Sequence, residues 1–146
     1  MGNINGWGGP LSRDWHKFTL ELQHNILDRM RGLGMIPVTP GFAGHIPEGL
    51  LEAHPEIDYS TQVWNGFNRT YLLEASDPLF GRIGTAFLRA YREEFGPTDH
   101  VYSCDTFNEM DPKTNGTDYI MKSGAAIYRY VETIDDDPGV TLPLYI

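Results

Sequence analysis

The strongest chemical suggestion lies in the second half of the chain. Asn108-Glu109 follows the apolar segment His100-Val101-Tyr102-Ser103-Cys104, which reads as a short strand, and sits in an acidic run with Asp105 and Asp111. Hydrolysis of a glycosidic bond uses two carboxyl groups, one protonating the leaving oxygen and one attacking or activating water. A glutamate just past a strand end suits the first role. Glu109 would reach the glycosidic oxygen while the Asn108 amide bonds the 2-substituent of the sugar. Spacing alone favours a solvated loop glutamate among acidic neighbours, since Asn-Glu dipeptides are frequent. The same run supplies oxygen donors for a cation, but it lacks the glycine and the spacing of a calcium loop, so no metal is expected.

Other residues divide in the same way. His45 falls just past the end of an earlier apolar run, in Gly41-Phe42-Ala43-Gly44-His45, where a substrate contact would be placed. Trp64 could stack on a sugar ring or pin a long loop. His16 and His24 share a helix face without an H-E-x-x-H pattern, and surface histidines of that kind are structural. Cys104 is the single cysteine; it excludes an internal disulfide and reads as a small core residue inside an apolar strand.

The composition narrows the classes. At 146 residues, 40% hydrophobic and 21% charged, the chain is that of a globular domain with a real core. Eleven basic against twenty acidic residues give a formal charge of -9, which argues against nucleic acid as a partner. No apolar run approaches the ~20 residues of a membrane span, and no signal peptide follows Met1. Two glycosylation sequons, at Asn68 and Asn115, nevertheless suggest the secretory pathway. Sequons without a leader lead to the expectation that the chain is part of a longer one.

These candidates need elements to position them. Pro10 and Ser12 open a helix whose inward face is predicted to be Phe18, Leu22, Ile26, Met30 and Leu33, with Gly34 as its cap. Met35 to Pro40 reads as a buried strand, with Pro37 a caution. A short helix is expected from about Pro47 to Ala53. Residues 55–76 show no regular period and read as a long aromatic-rich loop. Asp77-Pro78 starts a helix that places Phe80, Ile83, Phe87 and Tyr91 inward until Gly96-Pro97. A last helix is expected from roughly Asp118 to Ile134, with Ile120, Ile127, Val131 and Ile134 inward. Helices and strands thus alternate with no hairpins, which calls for parallel strands in an α/β fold. No G-x-G-x-x-G follows a strand, so no dinucleotide cofactor is expected. Candidate polar residues just past strand ends favour a partial (β/α)8 TIM barrel of about two to three βα units, since a whole barrel needs ~250 residues.

Taken together, several segments resemble the alpha-N-acetylglucosaminidases, family 89 of the glycoside hydrolases. They are Met1-Gly2-Asn3-Ile4, Trp7-Gly8-Gly9-Pro10-Leu11, Leu33-Gly34-Met35-Ile36-Pro37-Val38, Gly41-Phe42-Ala43-Gly44-His45-Ile46-Pro47-Glu48, Ser76-Asp77-Pro78-Leu79-Phe80 and Asp105-Thr106-Phe107-Asn108-Glu109-Met110. The resemblance implies a barrel domain, lysosomal in animals or secreted, that removes terminal alpha-linked N-acetylglucosamine from the glycosaminoglycan heparan sulfate with retention of configuration. It implies Glu109 as the general acid/base, Asn108 as its neighbouring sugar contact, and Trp64 as an aromatic wall of the pocket. Asn68 falls where some relatives also carry a sequon. No cofactor is implied, and oligomeric state is left open.

The resemblance also sets expectations about what is missing. The barrel segment is expected to run over 1–137, with 138–146 a divergent tail. A preceding small domain and first strand, and the nucleophilic glutamate, are expected outside these residues. The chain alone should then be inactive, since a retaining mechanism needs both carboxylates. The alternative is a non-catalytic truncated product or binding module.

Overall fold

A computed structural model describes residues 9–63, 66, 69–107 and 111–135. Its frame is a parallel strand pair joined through a helix. Strand β1 (Thr39–Pro40) pairs with β5 (Tyr102–Ser103) in the register Thr39↔Tyr102 and Pro40↔Ser103. The ladder bonds run from Thr39 N–H to the Val101 carbonyl and from Gly41 N–H to the Ser103 carbonyl, both 2.9 Å. Pro40 lies between the two donors, where a parallel ladder asks nothing of its missing N–H. The expected six-residue strand shortens to these two residues, and Met35, Ile36 and Val38 stand exposed. Gly41 is required by close approach: a Cβ there would fall 2.1 Å from the Cys104 sulfur.

Two helices cover this pair. Helix α3 (Pro78–Phe95) begins where expected, the Asp77 carboxylate accepting the Leu79 N–H at 2.8 Å, and ends at Gly96 with φ 85°. Helix α4 (Thr117–Glu132) follows β5. They meet at Gly84, where any Cβ would lie 2.6 Å from the Tyr130 ring. The buried row of α3 is Phe80, Gly84 and Leu88, one residue round the helix from the predicted Ile83 and Phe87. The cause is Tyr130, whose ring claims the smallest position on the helix. Its hydroxyl donates to the Phe42 carbonyl at 2.8 Å and lies 3.3 Å from Cys104 Sγ, tying α4 to the ends of β1 and β5.

Helix α1 (Arg13–Gly32) precedes β1 and is capped as predicted, Ser12 Oγ accepting from Trp15 N–H at 3.1 Å. Its expected inward face is not the packed one. Leu27 is the buried residue, and the helix docks on the end of α3 through His24 and Arg31. His24 Nε2 lies 2.9 Å from Glu94 Oε1, and Arg31 donates to the carbonyls of Phe95 and Pro97. Phe18 remains 65% exposed and Leu33 59%. Period fixes which side of a helix is apolar; it does not supply the surface that covers it.

The largest correction concerns the segment between β1 and α3. Instead of an unbroken loop, it folds as a three-stranded antiparallel sheet in the order β2 (His45–Ile46), β4 (Arg69–Leu73), β3 (Tyr59–Val63), with helix α2 (Glu48–Ala53) between β2 and β3. A hairpin is therefore present where none was expected. Tyr59-Ser-Thr-Gln-Val and Arg69-Thr-Tyr-Leu-Leu are rich in β-branched and aromatic residues, and the connection holds Asn65-Gly66, with Gly66 at φ 81°. The aromatic content had masked a strand pair. The order β1–α3–β5–α4 is that of successive βα units, and the whole 41–77 segment is an elaborated loop at the C-terminal end of β1. Among the described residues no helix is long and apolar enough to cross a membrane.

Candidate functional site

Because β1 and β5 are parallel and in register, their following segments leave from the same end. The first carries His45 and the three-stranded sheet; the second carries Asp105, Thr106 and Phe107 and leads into Asn108 and Glu109. Asn108, Glu109, Trp64 and Asn68 lie outside the described residues. The nearest described residues, Val63, Arg69, Phe107 and Asp111, define the frame. Asn115 is exposed just ahead of Gly116, the N-cap of α4.

His45 sits in β2 opposite Leu72. Gly44 before it has φ 103°, and a Cβ there would meet Leu72 and the Leu73 carbonyl at 2.9 and 3.2 Å. The backbone at Gly44 is thereby packed closely against β4. Both nitrogens of the His45 ring are buried, and neither makes a hydrogen bond among the described residues. Burial pulls its pKa below the ordinary histidine value, while nearby Asp105 acts in the opposite direction. At neutral pH the ring is uncharged and can offer one donor and one acceptor.

Among the described residues, three other buried side-chain atoms make no hydrogen bond. They are Ser60 Oγ in β3, Glu74 Oε1 at the end of β4 and Thr106 Oγ1 after β5. All belong to the two βα segments at the C-terminal ends of β1 and β5. Buried polar groups are normally paired, and each exception calls for a reason. A polar ligand that bonds these atoms is such a reason.

A second set of residues, of which Glu74, Asp58, Gln62, Lys113 and Tyr119 were not singled out by the sequence reading, surrounds the described residues Phe107 and Asp111. Glu74 is 3% exposed, and its Oε2 accepts from Tyr119 Oη at 2.8 Å. Lys113 Nζ stands 3.7 Å from Glu74 Oε1 and 3.6 Å from Asp58 Oδ1. The Oε1 distance is that of an ion pair, beyond hydrogen-bond reach. The Tyr119 ring packs on Phe107 at 6.2 Å, and the Gln62 amide donates to the Asp111 carbonyl. Asp77 completes the frame, its second oxygen accepting the Asp58 N–H at 2.8 Å. Only pairing across β3 and β4 brings Asp58 and Glu74 together, so no local motif announces them. The clue available was Glu74 itself, a carboxylate ending the apolar run Tyr71-Leu72-Leu73.

Cys104 is buried beside Tyr130, and burial pushes its thiol up, which is the environment of a core residue and not of a nucleophile. His24 is engaged with Glu94, and His16 packs its edge on Trp15. Among the described residues no cluster of three histidine, cysteine or acidic side chains could hold a metal ion.

Comparison with known proteins places the chain in a family. Residues 1–140 match the family pattern for the alpha-N-acetylglucosaminidase TIM-barrel domain. The chain is 43% identical to human alpha-N-acetylglucosaminidase over 142 residues, covering 94% of this chain and 19% of the human protein. It also superposes on the family 89 glycoside hydrolase of Clostridium perfringens, solved with 2-acetamido-1,2-dideoxynojirimycin and with PUGNAc. In both cases the TM-score is 0.73 and the identity 26%, over 88% of this chain and 16% of the bacterial one. The chain thus spans about a fifth or less of the relatives it matches, and the barrel-domain match covers its residues 1–140. By pattern, sequence and fold, the chain belongs to the alpha-N-acetylglucosaminidase family of glycoside hydrolases, family 89.

Proposed function

We propose that this chain is the acid-bearing segment of a retaining exo-glycosidase that removes terminal alpha-linked N-acetylglucosamine from heparan sulfate. In this reading residues 1–137 supply about two to three βα units of the barrel, followed by a divergent tail at 138–146. Glu109 is the general acid/base, Asn108 bonds the 2-acetamido group, and Trp64 and His45 line the sugar pocket. The nucleophilic carboxylate comes from the longer protein. The parent enzyme works in the lysosome or outside the cell, with Asn68 and Asn115 as glycan acceptors.

The observation that carries the reading is that the buried side-chain atoms without a hydrogen bond all belong to the two βα segments, one of which leads in sequence into Glu109. A sugar is dense in hydroxyl groups that can satisfy such atoms. His45, held neutral by burial, can bond a sugar hydroxyl as donor or acceptor without bringing a charge that competes with an acid for its proton.

The test is Glu109→Gln in the full-length protein that carries this segment. General acid catalysis contributes roughly 10²–10⁴-fold, so turnover of an alkyl N-acetylglucosaminide should fall by about that factor. An activated aryl glycoside needs less proton donation and should be spared more. Equal loss on both substrates would remove Glu109 from the acid role.

A further inference from the structure

A groove of about 670 Å³ lies where helices α3 and α4 meet. Arg82 and Arg89 of α3 and Arg129 of α4 line it, all three exposed. Their guanidinium groups make no hydrogen bond or ion pair among the described residues, although the chain holds twenty acidic residues against eleven basic ones. The one carboxylate in the lining, Asp77, is engaged elsewhere: one oxygen accepts from Leu79 N–H and the other from Asp58 N–H. Three positive groups facing one committed carboxylate make a positive strip on a chain of formal charge -9. Arg82 and Arg89 lie two turns apart on one helix face, so the charge is spread over about 10 Å and not gathered at a point. Thr85 and Thr133 add hydroxyl groups 3.3 Å apart between the two helices. One end of the groove is formed by Ala75 and Ser76, directly after Glu74, whose Oε1 is among the buried atoms without a hydrogen bond.

We propose that this groove is an extended binding surface for the acidic groups of a sulfated polysaccharide, holding the chain beyond the sugar that enters the site. The proposal rests on the reading of the parent protein as a heparan sulfate glycosidase. A guanidinium forks onto a sulfate or carboxylate through two parallel N–H···O bonds, and arginine is less strongly hydrated than lysine, so it gives up water for such a contact more readily. A polyanion carries its charges along its length, as the arginines do. The groove starts at the residues that follow Glu74, so a chain whose terminal sugar meets the buried polar atoms leaves over Ser76 and runs past Arg82. An acidic protein fits less well. Protein interfaces are anchored by large side chains in well-packed pockets, and the groove's apolar lining is mainly Ala75, Ala86 and Ala126, with Tyr130 buried beneath.

The test uses the full-length protein with Arg82→Gln, Arg89→Gln and Arg129→Gln, singly and combined. The substrates are a heparan sulfate oligosaccharide ending in N-acetylglucosamine, the same chain desulfated and carboxyl-reduced, and an uncharged aryl N-acetylglucosaminide. Each single variant should raise KM for the sulfated chain about two- to fivefold, and the combined variant about tenfold or more, with kcat within about twofold. KM for the two uncharged substrates should stay constant, and added salt should shrink the difference between variant and unchanged protein. An equal rise on all three substrates, or none on the sulfated chain, overturns the proposal. A second arm needs no turnover: calorimetric binding of a sulfated heparin hexasaccharide that lacks terminal N-acetylglucosamine should weaken in the combined variant. If it weakens in a protein that does not process heparan sulfate, the groove stands and the heparan sulfate reading falls. If processing continues and neither KM nor binding moves, that reading stands and the groove falls. Displacement of the hexasaccharide by a polyglutamate peptide at equal concentration would assign the groove to an acidic protein and overturn the proposal.

Discussion

The two ends of the β1–β5 pair are finished in opposite ways. At the N-terminal end, Asp135, buried after α4, receives Tyr102 Oη at 2.7 Å and faces His100 Nδ1 at 2.5 Å. Thr98 adds a bond to Tyr102 at 2.7 Å, and Arg92 donates to the Ile134 carbonyl. Burial, with the Asp135 bond reinforcing it, leaves the Tyr102 phenol pushed up to about 12. His100 is held with φ 61°, a conformation that non-glycine residues rarely adopt, and its bond to Asp135 helps fix it there. At the C-terminal end, by contrast, His45, Ser60, Glu74 and Thr106 each keep a buried polar atom without a hydrogen bond. In a barrel, the N-terminal face serves stability and the C-terminal face serves chemistry. Here that division shows in the hydrogen bonds among the described residues: the N-terminal end pairs these polar groups within the chain, while at the C-terminal end four side chains keep a buried atom that makes none.

The largest effect should come from breaking the closed end. Asp135→Ala would strip partners from Tyr102 and His100 and should cost about 2–4 kcal/mol, read by urea unfolding of the 146-residue chain. A loss under about 0.5 kcal/mol would mean that the network is ornamental and the contrast empty.

The middle effect concerns pH at the open end. Burial lowers the His45 pKa in the folded chain, so between that value and about 6.5 the unfolded chain binds more protons. Stability should therefore fall as pH drops from about 6.5 through the folded pKa, and be unaffected by this group above that window. His45→Leu should flatten this part of the Tm–pH curve. An identical slope in the variant would assign the pH sensitivity elsewhere.

The smallest effect sharpens the comparison. Thr106→Val exchanges an unpartnered hydroxyl for a methyl group of similar shape, and should change stability by less than about 0.5 kcal/mol or raise it slightly. A loss above about 1 kcal/mol would show that Thr106 already has a partner in solution.

Much of the frame was readable before the structure. Ser12, Asp77-Pro78 and Gly96 mark helix ends by local chemistry, and local chemistry survives folding. What escaped was set by contacts between distant segments. The exposed stripe of α1 and the one-residue rotation of α3 depend on what each helix meets, His24 with Glu94 and Gly84 with Tyr130. The β3–β4 hairpin was legible in principle from Asn65-Gly66 but was overshadowed by the aromatic residues around it. At the site, Asn108-Glu109 and His45 stood out by their places after strands. Glu74, Tyr119 and Lys113 lie at positions 74, 119 and 113, and no spacing rule joins them.

The contrast between the two ends can be read directly from their histidines. In the full-length protein with labelled imidazoles, N-acetylglucosamine is titrated in while the ring resonances of His45 and His100 are followed, the first assigned through a His45→Gln variant. Saturable shifts at His45 with His100 unmoved are the predicted result, because one ring waits for a polar partner and the other already has Asp135. Shifts at His100 alone, or none at His45 at saturating sugar, would contradict the assignment of the open end to substrate.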